Sequence, residues 1–499
     1  MGAPDRKLAL PHNPLLKEDP MLKIVPDADA SANPLASLRF MEAFRAEVDE
    51  RVGDGDFACR EEVALALANE AVRAELTAAL QDIVASHGTQ DALVDGERYR
   101  FHEAGSQSYA SFVGPLEVER PTFRKVGVRN GPTVVPLDLA AGLVHGTTPA
   151  LASRIARGKA KDPSRDLFDD LVASHRVPPS RTTLENKGNA IGAALHRRQA
   201  VVRAAARRAE ALPDGARTLV LGLDRTSSPM EEDLPPGTPR RPRKKPRIRK
   251  APAPVEVNYR MAFVGTVAIA DADGDIVHTY KYGATAADGP ADILRAMMQD
   301  IRNALRRDGS LRIVVVQDAA KEMWKLVIAA LEAEPSVSDW DELVDHYHAM
   351  GHLWAAAEAM EGDASKIMAG WKEALRHRDD AIDTIAKVLE REIDRGYLPT
   401  YRIAMENELT FITNNGARMR YASLRDAGFP IGSGATEGAC KSFFSIRCKR
   451  SGQRWRNDGL RATLMCRSLL LNDRLDRAIV TLRRRDFSAQ VQAVPRLAA

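Results

Sequence analysis

Two acidic residues end apolar runs that read as buried β-strands. Asp224 closes RTLVLGLD and Asp318 closes LRIVVVQD. At a strand end the backbone leaves the sheet and the side chain meets the rim of the core, so two such carboxylates can converge. Hard divalent cations such as Mg take a few carboxylate oxygens and keep water and substrate phosphate as their other ligands. A pair of these ions, roughly 3.5–4 Å apart, activates a nucleophile and stabilises a leaving oxygen in phosphoryl transfer. A single strand-end Asp more commonly caps the next turn, so the pair carries the reading.

Glu437 is the third candidate. Gly432, Ser433 and Gly434 break the chain before it, and Ser433 is placed to cap the helix they open. Glu437 stands one position late for a Ser-x-x-Glu capping box, which frees its carboxylate. Lys441 falls one turn later on the same face, and Arg447, Lys449, Arg450, Arg454, Trp455 and Arg456 follow. An acid for metal beside a dense cationic stretch suits a phosphate-backbone substrate. The competing reading is a solvated basic helix with a Glu–Lys pair.

A second basic run, 240–250, holds Arg240, Arg241, Arg243, Lys244, Lys245, Arg247, Arg249 and Lys250. Without these eight charges the formal net charge falls from +4 to −4, so the basic character is local and points to a specific polyanion contact. The run sits in a Pro-rich connection, expected as a loop over 225–258. No helix or sheet pattern explains it; a solvated linker is the alternative.

The elements that must position these residues follow from periodicity. Residues 1–36 read as a loose arm. Leu38, Met41, Phe44 and Val48 share one helical face, and helix continues to about 87. ERYRFHEA, SYASFVG and LEVERPTFRKVGV read as short antiparallel strands. SRDLFDDLVASH, a turn and RTTLENKGNAIGAALHRRQ read as helix, turn, helix, with Ser180 as N-cap, Leu184, Ile191 and Leu195 inward, and Arg181, Thr182, Asn186 and Lys187 outward. This is either a helix-turn-helix DNA reader or an ordinary helical hairpin. As a reader, it would use Arg181, Asn186 and Lys187 on bases, with Arg197, Arg198, Arg207 and Arg208 along the backbone. From 217 a mixed α/β layer begins; it is interrupted by an all-helical stretch at about 354–425 and resumes at 430.

LGLDRTSSPMEE, VVVQDAAKEMW and IGSGATEGACKSFFSIRCKRSGQRW carry a family resemblance, together with DHYH. In order and context, Asp224, Asp318 and Glu437 resemble the acids of DDE transposases with a ribonuclease H-like core. The chain looks most like the ISKra group of bacterial insertion-sequence transposases, related to the Mutator-like enzymes. Asp345 and His348 match the family's [C/D]-x-x-H signature. The resemblance covers about 217–475, and the N-terminal half more loosely. It implies cleavage at transposon ends and strand transfer with Mg, for which Mn substitutes. Many relatives carry cysteine pairs in the N-terminal β region; this chain has none there, so no zinc ribbon is carried over.

His348 and His352 stand four apart, a spacing that can hold zinc, but HAMGH lacks the glutamate of HExxH. His348 is expected to support the site through a hydrogen bond, and His352 to pack. Trp340, Trp354 and Trp371 are expected to pack too, although related transposases stack an unpaired base on an aromatic in this region.

The expected fold is an α/β ribonuclease H-like catalytic core with an all-helical insertion, preceded by an α+β DNA-binding region with a helix-turn-helix. The expected divisions are an arm (1–36), a helical plus β region (37–145), a helix-turn-helix-like region (146–210), a first core segment (211–353), the insertion (354–425), a second core segment (426–475) and a C-terminal tail (476–499). Cys59, Cys440, Cys448 and Cys466 make no CxxC pair, which counts against a cysteine zinc site or a disulfide framework and fits a reducing compartment. No apolar run approaches the ~20 residues of a membrane span, and MGAPDRKLALPHNP has neither a signal-peptide core nor the residue myristoylation needs at position 6. These features point to a soluble cytoplasmic protein, associated with the bacterial nucleoid. Its expected partners are double-stranded DNA, at element ends and target, and a second copy of itself. The rivals are a nuclease of the same fold that cuts without joining and a domesticated, catalytically idle DNA-binding protein.

Overall fold

The computed structural model describes residues 34–208, 210–234, 255–487 and 492–494. The chain divides into two compact units, Met1–Val72 and Arg73–Ala499. In the first, α1 (Pro34–Val52) and the start of α2 (Phe57–His87) bury Val48, Val52 and Leu67. Met41, expected on the same inner face, is 56% exposed. Of the expected arm, 1–33 lie outside the described residues, and Pro34 already opens α1.

The second unit begins within α2 and continues through β1 (Asp91–Val94), β2 (Glu97–Ser111), β3 (Gly114–Lys125) and β4 (Thr133–Val134). The break expected between Ala104 and Ser108 is absent. Strand β3 pairs along β2 from Tyr99 to Ser111, and the irregularity is a bulge between Phe101 and Glu103. Helices α3 (Pro136–Ala140), α4 (Pro149–Lys161), α5 (Ser164–Ala173), α6 (Arg181–Arg197) and α7 (Gln199–Arg207) follow. Ser180 caps α6, its hydroxyl accepting from the Thr183 N–H at 3.3 Å. Leu184, Ile191 and Leu195 are buried, as the spacing requires.

Next come β5 (Thr218–Asp233), β6 (Val255–Ala270), β7 (Ile276–Ala284), α8 (Ala291–Arg307), β8 (Arg312–Gln317), α9 (Lys321–Glu332) and β9 (Asp341–Val344). The sheet order is β7-β6-β5-β8-β9. Strands β5, β6 and β7 are antiparallel, whereas β8 runs parallel to both β5 and β9. Leu219, Leu221, Val314 and Val315 are fully buried at the centre of this sheet, which is why these runs read as continuous apolar strands rather than alternating ones. The expected loop 225–258 is narrower. Residues 225–233 prolong β5 and 255–258 open β6, paired from Asp233↔Val255 onward. The basic run 240–250 lies outside the described residues.

Helices α10 (His346–Ala359), α11 (Ala364–His377), α12 (Ala381–Ile393), α13 (Pro399–Asn415) and α14 (Tyr421–Asp426) then precede α15 (Gly434–Ala439). A π-helical turn, Cys440–Ser445, joins α15 to α16 (Ile446–Cys448); α17 (Asn457–Leu471), α18 (Leu475–Phe487) and β10 (Gln492–Val494) end the chain. The expected C-terminal tail is therefore helix α18, then β10, which pairs with β1. Leu475, Ile479 and Leu482 share one core with Leu151, Ile155, Ile191 and Met465. Gly192 allows α6 to cross α17 closely: a Cβ there would lie 2.6 Å from that of Ala462. A buried ionic network adds to this. Arg474 donates to Glu210 at 2.6 and 2.7 Å, to Asp300 at 3.0 Å and to the Tyr282 hydroxyl at 2.7 Å. Arg207, expected on a DNA-tracking face, is instead buried, donating to Asp300, to Gln299 at 2.7 Å and to the Ala296 carbonyl at 3.0 Å.

Candidate active site

Asp224 is not a strand end. The apolar run stops there because parallel pairing with β8 stops at Leu221↔Val315, while the antiparallel partner β6 carries β5 on to Asp233. Asp318 follows β8 directly, as expected. Each acid lies three residues beyond Leu221↔Val315, the last β5–β8 pair, and the Asp224 charge reaches the Asp318 carboxyl.

Helix α15 lies across this edge. Gly222 shares a strand face with Asp224, and a Cβ at Gly222 would overlap the Thr436 hydroxyl. Thr436 is buried and hydrogen-bonds Thr266, the β6 partner of Gly222, at 2.7 Å. The helix bearing Glu437 thus sits directly on the strand bearing Asp224. One turn on, the Cys440 thiol donates to Asp224 Oδ2 at 3.2 Å, while the Arg225 N–H donates to Oδ1 at 2.6 Å. Burial first, and then the Asp224 charge, push the Cys440 thiol well above its ordinary range. Glu437 is more than half exposed, 4.0 Å from Lys441.

Asp345 ties the site together. It is fully buried at the start of α10 and accepts from the His348 N–H at 2.6 Å and from the Ser433 N–H. Ser433 therefore does not cap α15 with its hydroxyl, as expected; its backbone is held by Asp345 instead. The Asp-x-x-His pattern joins the helix carrying His348 to the turn that launches Glu437. His348 Nδ1 lies 3.9 Å from Asp318 Oδ1. His352 packs, as expected, stacked on Phe411 with its Nδ1 2.7 Å from Glu408. Trp371 is buried, Trp340 is partly buried, and Trp354 is 38% exposed with its indole N–H on Glu358 at 2.7 Å.

Partial burial pushes the Asp318 carboxyl above its ordinary value; Asp224, Asp345 and Glu437 add to the rise and His348 opposes it. These carboxylates share one negative field, and hard oxygens in such a field are the donor set that Mg takes. Asp224, Asp318 and Glu437 are donors of the type that ion takes. Among the described residues, no three His, Cys, Asp or Glu side chains stand close enough to form a ready-made metal group.

The basic stretch after Glu437 divides. Lys441 and Arg454 are exposed; Lys449 is exposed and donates to the Thr226 hydroxyl at 2.6 Å. Arg450 pairs with Asp162 and Asp166 at 3.2 Å each. Arg447 and Trp455, expected as DNA contacts, are buried at 2% and 6% exposure. The Arg447 guanidinium lies 5.0 Å from the Trp455 ring, and the indole donates to the Cys448 carbonyl at 2.9 Å. Trp455 also bridges to Met230 and so holds this stretch onto β5, while Arg447 donates to the Lys159 carbonyl at 3.3 Å. On α6, Arg181 and Asn186 are exposed, whereas the Lys187 ammonium is spent on the His145 and Gly146 carbonyls at 2.9 Å each.

Sequence reasoning did not find Gly222, Thr436 or Cys440. Only the packing of α15 on β5 gives them roles, and that contact has no local signal in the sequence. No helix among the described residues is long and apolar enough to cross a membrane.

No family model and no curated protein matches the chain. Among solved structures it is similar to the Mos1 transposase paired-end complex with left transposon end, at 12% identity over 57% of this chain and 79% of that one, with a TM-score of 0.15. At those values the likeness carries no argument about fold or function.

Proposed function

We propose that this chain is a metal-dependent transposase with a ribonuclease H-like core, which cuts DNA at element ends and joins them to a target. The observation that supports the reading is the nearness of Asp224 to Asp318, whose carboxyl is pushed up by burial and then by the Asp224 and Glu437 charges, with the Glu437 helix seated on Gly222 of the same strand as Asp224. Asp224, Asp318 and Glu437 would hold Mg, or Mn in its place. When bound, the ions would supply Lewis-acid activation of water and of the leaving oxygen. His348, beside Asp318, is placed to hydrogen-bond a phosphate oxygen. Water attacks the phosphodiester at the element's end, leaving a 5′-phosphate and a free 3′-hydroxyl. That hydroxyl then displaces a 3′-oxygen in target DNA. No covalent protein–DNA intermediate is needed, so no Ser or Tyr nucleophile is assigned.

Base readout falls to the exposed Arg181 and Asn186 of α6, as guanine and adenine readers, in a helix-turn-helix role. Lys441, Lys449 and Arg454, with the run 240–250, supply phosphate contacts. Pairing two ends calls for at least a homodimer, working at the nucleoid.

The test is to incubate the protein with Mg and a plasmid carrying the DNA that flanks its own gene, alongside a target plasmid. Joined product supports the proposal. Nicking without joined product supports the nuclease reading, and neither product supports the idle one.

A further inference from the structure

Away from the acids, a cleft of about 490 Å³ opens between α7 and α8, lined by Arg207, Arg208, Arg302, Arg306 and Arg307 and by no acidic side chain. Two of the five charges are neutralised from beneath: Arg207 by Asp300 and Arg302 by Glu334, to which it donates at 2.8 and 2.6 Å. Arg307 donates to a backbone carbonyl, that of Arg207, at 3.0 Å, and forms no ion pair among the described residues. Arg208 and Arg306 are exposed and form no ion pair among the described residues. Arginines at the ends of two helices complement the helix dipoles, and that alone accounts for one cation per terminus. It does not account for two helices ending side by side with these three guanidinium groups facing one cleft, a placement that costs mutual repulsion.

The cleft is also far from the acids. Helix α8 ends at Arg307, just before β8 starts at Arg312, whereas Asp318 follows the far end of β8. The six residues of β8 separate the two sites by roughly 20 Å, at about 3.3 Å per residue. The cleft therefore lies toward the opposite edge of the sheet and cannot reach a phosphate held at Asp318.

We propose that this arginine cleft grips the phosphate backbone of duplex DNA at a point remote from the bond being cut. Guanidinium forks match phosphate geometry, and a repeating polyanion answers several like charges at once. The inference rests on the reading of the chain as a DNA-processing protein and extends it to a surface that the catalytic centre does not use.

The test uses the full-length protein and a scrambled 30-base-pair duplex, with binding followed by fluorescence anisotropy across a salt series. Each lost phosphate contact makes the slope of log affinity against log salt shallower by about 0.9. Arg208→Gln with Arg306→Gln should flatten the slope by about 1–2 and weaken binding severalfold. Arg208→Lys with Arg306→Lys should keep the wild-type slope. An unchanged slope in the Gln pair overturns the cleft as a DNA site while the proposed function stands. Loss of tripolyphosphate binding in the Gln pair with the duplex slope unchanged also overturns it, in favour of a small-anion site. A wild-type protein with no salt-dependent duplex affinity overturns both.

Discussion

Asp224 and Asp318 each lie three residues beyond Leu221↔Val315, the last parallel pair of β5 and β8, and burial and then the Asp224 charge push the Asp318 carboxyl up. Asp224 shares the strand face of Gly222, on which α15 sits. Two acids far apart in the chain thus share an electrostatic field with a third, Glu437, carried by the helix that packs on Gly222.

The packing of α15 is the first point to test. Gly222→Ala places a methyl where the Thr436 hydroxyl stands. Overpacking of this kind costs about 1–3 kcal/mol, and the displaced α15 should carry Glu437 out of line. We expect lower stability in urea and loss of DNA cleavage. Adding Thr436→Ala, which removes the clashing hydroxyl, should restore part of both. A Gly222→Ala protein with normal cleavage would show that the α15 seat does not set the site.

Asp345 offers a second test. Its carboxylate serves two backbone donors from a buried position, His348 N–H and Ser433 N–H. Hydrogen bonds to charged groups are worth about 1.5–3 kcal/mol each. Asp345→Ala should therefore destabilise the fold by about 3–6 kcal/mol in urea unfolding. Asp345→Asn, which keeps one acceptor oxygen, should cost less. Equal stability of Asp345→Ala and wild type would remove Asp345 as the link between α10 and α15.

Much of this arrangement is legible in the sequence, and the remainder fails for identifiable reasons. The Ser180 cap and the Leu184, Ile191 and Leu195 face are local, so spacing alone finds them. Asp318 reads correctly because β8 truly ends there. Asp224 reads as a strand end because apolar character and strand length coincide only where both faces are buried; antiparallel pairing with β6 prolongs β5 through polar residues. Arg447, Arg207 and Lys187 read as surface cations because the groups they bond to lie far away in sequence: the Lys159 carbonyl, Asp300, and the His145 and Gly146 carbonyls. A basic stretch does not reveal which of its cations the fold has already used.

Cys440 reports on Asp224. Its thiol is held in the protonated form by burial and by the Asp224 charge, so alkylation by iodoacetamide at pH 8 should be slow. Asp224→Asn removes the charge, lowers the thiol's proton affinity and should speed alkylation severalfold, as followed by peptide mass spectrometry. Equal rates in both proteins would contradict the Cys440–Asp224 contact.

The shared field also predicts a stability effect. The Asp318 carboxyl binds its proton more tightly in the folded protein than in the unfolded chain. Its favourable contribution is therefore present below about pH 4, the unfolded value, and is lost as pH rises through the folded value. At pH 7 without metal, Asp318→Asn should raise the melting temperature. The side chain is 48% exposed, so solvent screening keeps the gain to about a degree. The same variant should lose any Mg-induced rise in melting temperature. A lower metal-free melting temperature would contradict the repulsive field.

The most direct test of the central claim is Mg-dependent strand cleavage of a duplex carrying the element's own end, compared across wild type, Asp224→Asn, Asp318→Asn and Glu437→Gln. One metal centre built from all three acids predicts cleavage by wild type only with Mg or Mn. It also predicts loss of about a hundred- to a thousandfold in each variant, the scale at which one group that stabilises transition-state charge is lost, with end binding largely retained. Near-wild-type cleavage by any one of the three variants would contradict the account.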